Sequence, residues 1–286
     1  VTSAQLGGSR YALNLSLCLP GHRIPDSAAL AALSGFDQVE MWWPFPTPRP
    51  TAADISQLCD QLRSTGTRLV CVNNDAGDFA TGDRGLLSDP FRRDRCRDSI
   101  RAAIQIAAQT GCRLINLPYG NRITAVPESD QHRTAWDNLV FAAESARGAG
   151  VSVMIEPLNV HDNPDYLMPD LASAADLVDG LGQAGIGNAG ILLDVYHLGR
   201  TEKDVETAIR RYAPDVLHVQ FADLPDRRCP GTGELDFAGI HAALAEVGYQ
   251  GLFGLEFAAH AAPDAAVLRG AQDFIRRYPG HTPAQI

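Results

Sequence analysis

At 286 residues, with 34 acidic against 24 basic side chains, the chain carries a formal net charge of -10, which repels a phosphate backbone over most of the surface and sets nucleic acid aside as a partner. Hydrophobic residues at 45% and charged residues at 20% lie near the globular norm, so disordered, collagenous and disulfide-scaffold classes are excluded. The length exceeds a typical domain, yet α/β barrels of about 250 residues form one unit, so a single domain over 1–286 is expected.

In chain order, residues 1–10 are polar or glycine-containing and read as a frayed tail, as do 279–286. No charged segment followed by an apolar run marks a signal peptide, and no stretch reaches the roughly 18 apolar residues of a membrane span. Six cysteines are scattered without a C-x-x-C pair, as suits reduced thiols in the cytoplasm.

Short apolar runs then recur: Tyr11 to Leu17, Phe36 to Trp43, Arg68 to Asn73, Arg113 to Leu117, Val151 to Leu158, Gly190 to Tyr196, Val216 to Phe221 and Leu252 to Phe257. Helix punctuation separates them. Asp89 and Pro90 open a stretch that Gly111 closes, and Thr201 with Asp204 makes a capping-box pattern. Runs such as VSVMI and GILLD are apolar at both parities, as a parallel sheet buried on both faces requires. Eight strand-helix alternations predict an α/β fold, a closed (β/α)8 TIM barrel, with a doubly wound open sheet as the alternative. No G-x-G-x-x-G turn leads into a helix, so a dinucleotide site is not expected. Trp42 and Trp43 alternate faces; one is expected in the pocket, the other in the core.

Four oxygen-bearing side chains end four consecutive strands: Glu156, Asp194, Gln220 and Glu256. Alternation places Glu156 with Ser152 and Met154, Asp194 with Gly190 and Leu192, Gln220 with Val216 and His218, and Glu256 with Leu252 and Gly254. The opposite parity carries the bulkier apolar residues, which suit the helix layer. All four polar side chains would then point to one place. Three carboxylates gathered in low dielectric repel one another unless a cation neutralises them. Three carboxylates and an amide oxygen form a hard donor set, suited to one divalent ion, Mg²⁺ or Mn²⁺, rather than zinc. Any one of these acids alone reads as readily as a strand-end residue paired with an arginine; four in register do not.

Beyond the strand ends, His197 reads from its position as a solvent-facing loop residue. His218 is expected one layer below Gln220, packed in support of it. Arg227 offers a guanidinium to a substrate carboxylate; Arg84 competes for that task but reads more readily as a surface charge. Glu40 on the second run is expected to orient another pocket side chain. The glycine-rich segments Asp75 to Gly85 and Pro230 to Glu234 read as loops of the lid type or as ordinary surface.

Several blocks together resemble the hydroxypyruvate isomerase family of the xylose-isomerase-like barrels: GFDQVEMWWP, AGDFATGDRGLL, VMIEPLN, DVYH, HVQFADLPDR with PGTGELDF, and GLEFAA. The pattern departs from that family in MWWPFP after Glu40 and in EFAAH from Glu256. The resemblance implies interconversion of hydroxypyruvate and tartronate semialdehyde, with Glu156 and Glu256 as proton donor and acceptor, His197 as a ligand for a substrate oxygen in place of its solvent-facing reading, and self-association as a homo-oligomer. A 2-oxo-tetronate isomerase or ketose 3-epimerase would use the same proton chemistry. A non-catalytic carbohydrate-binding barrel is the alternative from another class, and the glutamates argue against it. The histidines are too scattered for a DNA-repair metal cluster.

Overall fold

The structure, a computed structural model, describes residues 9–280; residues 1–8 and 281–286 of the expected tails lie outside the described residues. Eight strands hydrogen-bond in chain order and close: β1 (Tyr11–Asn14), β2 (Gln38–Met41), β3 (Arg68–Asn73), β4 (Leu114–Asn116), β5 (Ser152–Ile155), β6 (Ala189–Asp194), β7 (Val216–Phe221) and β8 (Phe253–Leu255). This is the (β/α)8 arrangement, and the open-sheet alternative falls.

Several strands are shorter than their apolar runs, for a local reason. The Asn14 side-chain oxygen accepts the N–H groups of Ser16 and Leu17, so the chain turns into the helix Leu15–Cys18 instead of continuing as strand. Asp194 does the same for Tyr196 and starts the helix Val195–Thr201. The Thr201 and Asp204 pattern is corrected too: Thr201 ends that helix, and Asp204 itself caps Val205–Tyr212 by accepting the Thr207 N–H. Gly111 ends Arg93–Thr110 in the left-handed conformation, φ 76°, which costs glycine nothing.

Contacts divide the chain into two compact units. Among the described residues, the first takes in those up to Glu40, Leu62–Arg68 and those from Leu193 on. Within it β1 pairs in parallel with β2 (Asn14 opposite Glu40) and with β8 (Leu13 opposite Leu255), and β8 pairs with β7 (Phe221 opposite Leu255). Tyr11, Phe221 and Phe253 share one parity; Phe221 meets Phe237 and Phe274, Tyr11 meets Phe274 and Phe253 meets His241, from the helices Phe237–Glu246 and Asp264–Arg277. The Phe221 and Phe253 rings stack at 5.1 Å, and each buried aromatic contributes about 1.5–3 kcal/mol of transfer free energy. With bulky residues of β1, β7 and β8 committed to the helices, the alternate positions Asn14, Gln220 and Glu256 are turned to the other face. Arg10, expected in the frayed tail, is buried: its guanidinium donates to the carbonyls of Tyr249 and Gly251 and lies 4.7 Å from the centre of the Phe253 ring.

The second unit comprises Met41–Gln61 and Leu69–Leu192. Its strands pair β3 to β4 (Asn73 opposite Asn116), β4 to β5 (Asn116 opposite Met154) and β5 to β6 (Ile155 opposite Ile191). Ile100, Ala103, Ile106 and Ala107 form the buried stripe of Arg93–Thr110 at helical spacing. The Asp75 to Gly85 segment is pinned rather than loose. Gly85 bridges Tyr119 at φ 139°, and a Cβ there would fall 2.2 Å from the Pro118 carbonyl oxygen. Trp42 packs at 5.3 Å on Phe79 of this segment, while Trp43 packs on Phe45; both are only partly buried, so neither is a core residue.

The segment is also tied by charge, since Arg92 donates from Nη1 and Nη2 to the two oxygens of Asp83 (2.5 and 2.7 Å) and from Nε to Asp89 (2.6 Å). These bonds hold the Asp83 carboxyl below its usual range, against an opposing effect of burial. A carboxyl depressed on folding stabilises the protein above its unfolded value, near pH 4, and ceases to as pH falls through its folded value. Asp83→Asn is therefore expected to lose no more than about 1 kcal/mol at pH 7, solvent screening included, with a smaller deficit at pH 3. Urea midpoints at the two pH values measure this, and an equal deficit at both would assign the loss to packing.

Candidate active site

In the first unit, Glu40 at the end of β2 is the buried hub of one cluster. It accepts from Nε2 of His218 and, at 2.8 Å, from Nε2 of Gln220. An ionised carboxylate only accepts, so Glu40 fixes both the histidine tautomer and the orientation of the Gln220 amide. The Gln220 carbonyl oxygen Oε1 is therefore turned away, buried and without a hydrogen-bond partner. A buried orphan acceptor is costly unless something binds it. Gly254 on β8 makes room for the hub: a Cβ there would lie 2.3 Å from Oε1 of Glu40.

The second cluster joins Asp194, Glu256, Arg227, Asn14 and His197. Nη2 of Arg227 donates to Oδ2 of Asp194 at 2.7 Å and also to Oε2 of Glu256. Nδ2 of Asn14 donates to Oε1 of Glu256 at 2.8 Å. Because the Asn14 oxygen is engaged by the Ser16 and Leu17 N–H groups, its amide can face Glu256 only with the nitrogen. Burial raises the Asp194 carboxyl above its usual range, and Arg227 opposes the rise. His197 is buried, which corrects the solvent-facing alternative; its Nε2 lies 3.8 Å from Oδ2 of Asp194. Desolvation, reinforced by the charge of Arg227, pushes its pKa well below the ordinary imidazole value, so the ring is neutral at pH 7.

In the second unit Glu156 directly follows β5 and is buried. Nδ2 of Asn116, the last residue of β4, donates to its Oε2 at 2.7 Å, and the Tyr166 hydroxyl donates to its backbone carbonyl at 3.2 Å. Asn116 is itself fully buried. Arg84, read as a surface charge, is half-buried there, with Nε on Asn163 and its guanidinium over Phe79.

The structure thus brings Gln220, Glu40 and His218 together, and likewise Asp194, Glu256, His197 and Arg227, with Glu156 described in its own unit. Sequence reasoning missed Asn14 and Asn116. Their signal was available: each is a polar residue closing an apolar strand, YALN and LIN, next to a strand directly followed by a glutamate. The donor set suits a divalent cation. Asp194 and Glu256 both accept from Nη2 of Arg227, the Asp194 charge is penalised by burial, and Gln220 holds an unsatisfied oxygen, a set of groups that a hard cation would relieve.

Residues 28–278 match the family described as xylose isomerase-like TIM barrel. A putative hydroxypyruvate isomerase of Streptomyces coelicolor is 37% identical over 251 residues, covering 87% of this chain and 90% of that one. A 2-oxo-tetronate isomerase of Cupriavidus necator is 31% identical over 258 residues, covering 90% and 96%. Among solved structures, an AP endonuclease of family 2 from Brucella melitensis superposes with a TM-score of 0.82 at 26% identity, covering 95% of this chain and 99% of that one. With a closed eight-stranded barrel, acids at its strand ends and relatives of this similarity along most of its length, the chain belongs to the xylose isomerase-like TIM barrel family and is an isomerase.

Proposed function

We propose that the chain acts as one catalytic domain that interconverts hydroxypyruvate and tartronate semialdehyde by proton transfer. The observation that carries this is the matched treatment of two glutamates: Asn116 grips Oε2 of Glu156, and Asn14 grips Oε1 of Glu256. An amide donor fixes the rotamer of a carboxylate and favours its charged form, as a general base requires.

In the proposed reaction one glutamate removes a proton from C3 of hydroxypyruvate, giving an enediolate. A proton is returned to C2 by one of the two glutamates, the hydroxyl proton passes from O3 to O2, and no electrons enter or leave. Asp194, Gln220, Glu256 and Glu156 are the residues assigned to hold Mg²⁺ or Mn²⁺; of these, Glu156 and Asp194 each offer a buried carboxylate oxygen in support. When bound, such an ion supplies Lewis-acid polarisation of neighbouring substrate oxygens. His197, neutral through burial, is assigned to a substrate oxygen. Glu40 and His218 hold the Gln220 amide in its orientation. Arg227, with 22% of its side chain exposed, is assigned to the substrate carboxylate, which its planar fork matches.

The C. necator relative supports a second substrate, a 2-oxo-tetronate, on the same machinery. An endonuclease activity, as in the name of the Brucella relative, is opposed by the net charge of -10. A cytoplasmic setting accords with the free cysteines, and self-association is proposed from the resemblance. No helix among the described residues is long and apolar enough to cross a membrane.

Glu156→Gln and Glu256→Gln should each lower kcat on hydroxypyruvate by roughly 10²–10⁴, the usual worth of a general acid or base, with melting temperature little changed. Turnover at the parental rate in either variant removes that residue from the chemistry. Reaction in D₂O should place solvent deuterium on the carbon that receives the proton; complete retention of substrate hydrogen would instead indicate hydride transfer. Asn116→Leu should cost about 10–100-fold in kcat, the scale found for groups that orient a catalytic ligand, and wild-type kinetics would show that Glu156 needs no such support.

A further inference from the structure

The residues after β7 form a loop built around one carboxylate. Asp223 is fully buried, and its side chain accepts five backbone N–H groups: Oδ1 those of Leu224, Glu234 and Leu235, and Oδ2 those of Gly231 and Gly233, at 2.8–3.0 Å. The backbone of Asp223 also exchanges two hydrogen bonds with Arg228, closing the stretch 224–227 into a tight tip. One side chain therefore gathers both ends of the 224–235 excursion. The sequence match is close: a Cβ on Gly233 would lie 1.9 Å from the Leu224 carbonyl oxygen and 2.7 Å from Oδ1 of Asp223.

At the end of that tip stands Arg227, in the left-handed region at φ 54°, a conformation that costs a non-glycine residue free energy and persists only where its surroundings impose it. The surroundings are visible. The Arg227 carbonyl accepts the Ala258 N–H at 2.7 Å, the ring of His260 meets the Asp226 carbonyl at 2.7 Å, and the Asp223–Arg228 pair lies directly behind. The result carries the guanidinium to Asp194 and Glu256.

We propose that Asp223 is a positioning residue for substrate selectivity: by clasping five amides it holds the 224–235 loop so that Arg227 is presented to a substrate carboxylate, and through Arg227 it favours carboxylate-bearing over neutral hydroxycarbonyl compounds. This rests on the assignment of Arg227 to the substrate carboxylate under the proposed function. Asparagine at 223 would oppose an NH₂ group to backbone N–H groups and break part of the clasp while leaving Arg227 in the chain.

The test compares the KM for hydroxypyruvate with the inhibition constant of dihydroxyacetone, in which a neutral CH₂OH replaces the carboxylate. Arg227→Ala, Asp223→Asn and the double variant are measured against the parent with Mg²⁺ or Mn²⁺ present. Arg227→Ala should raise the KM for hydroxypyruvate roughly tenfold or more, on the scale of a lost charge-assisted contact, with dihydroxyacetone little affected. Asp223→Asn should show the same selective loss, and the double variant should lose no more than Arg227→Ala alone, because both changes remove one interaction. Losses that add, or equal weakening of the charged and neutral compounds, would make Asp223 a purely structural anchor and overturn the proposal. If Arg227→Ala leaves the KM unchanged, the Arg227 assignment itself is wrong, whatever Asp223 does. If the parent does not turn over hydroxypyruvate, the proposed substrate fails, and the same cycle read in dissociation constants for hydroxypyruvate decides the role of Asp223. Should Asp223→Asn not fold, Gly231→Ala disturbs the clasp while keeping its carboxylate, since Gly231 stands at φ 79°, a conformation strained for alanine, and the added Cβ meets the Phe274 ring at 3.3 Å; it should shift selectivity in the same direction, and unchanged selectivity would count against the proposal.

Discussion

A buried carboxylate must be met by donors, and this requirement organises the strand ends in each of the two units. Glu40 is met by a histidine and an amide, Asp223 by five backbone N–H groups, Glu156 by an asparagine, Glu256 by an asparagine and an arginine, and Asp194 by that same arginine and a helix N–H. Water would have solvated these acids at no structural expense. Inside the protein each becomes a fixed point that dictates where other side chains and loops sit.

The strands make those fixed points possible through their two-residue period. Phe221 and Phe253 are committed to the helices Phe237–Glu246 and Asp264–Arg277, so the intervening positions carry the polar residues to the other face without a choice of their own. The apolar layer thus orients the polar one: it sets the direction of Asn14, Gln220 and Glu256 before any hydrogen bond forms. What the polar layer adds is orientation within that direction. Glu40 decides which atom of Gln220 is offered, and Asn14 decides which oxygen of Glu256 is engaged.

Much of this was legible in the sequence because it depends on periodicity and punctuation. Eight apolar runs became eight strands, Gly111 ended its helix, and the places of Glu156, Asp194, Gln220 and Glu256 at or just past strand ends were visible from spacing. The illegible parts depend on contacts distant in the chain. Nothing local says that Asn14 will meet a glutamate 242 residues away, or that Arg10 will be held by carbonyls near residue 250. Thr201 and Asp204 failed for a different reason: two capping residues stood within one turn, and the choice between them is settled by where the preceding helix stops. The PGTGELDF block was visible as a motif, while its purpose, to supply amides to Asp223, needed the folded loop.

Gly254 and Glu40 occupy what is in effect one space, the carboxylate lying where a methyl group would otherwise stand. The two positions are therefore bound by steric epistasis. Any larger residue at 254 is admissible only in a lineage that has first shortened or withdrawn the acid at 40, and that change would release the amide of Gln220 to rotate. A single missing methyl group thus ties the heredity of one barrel strand to the chemistry presented by another.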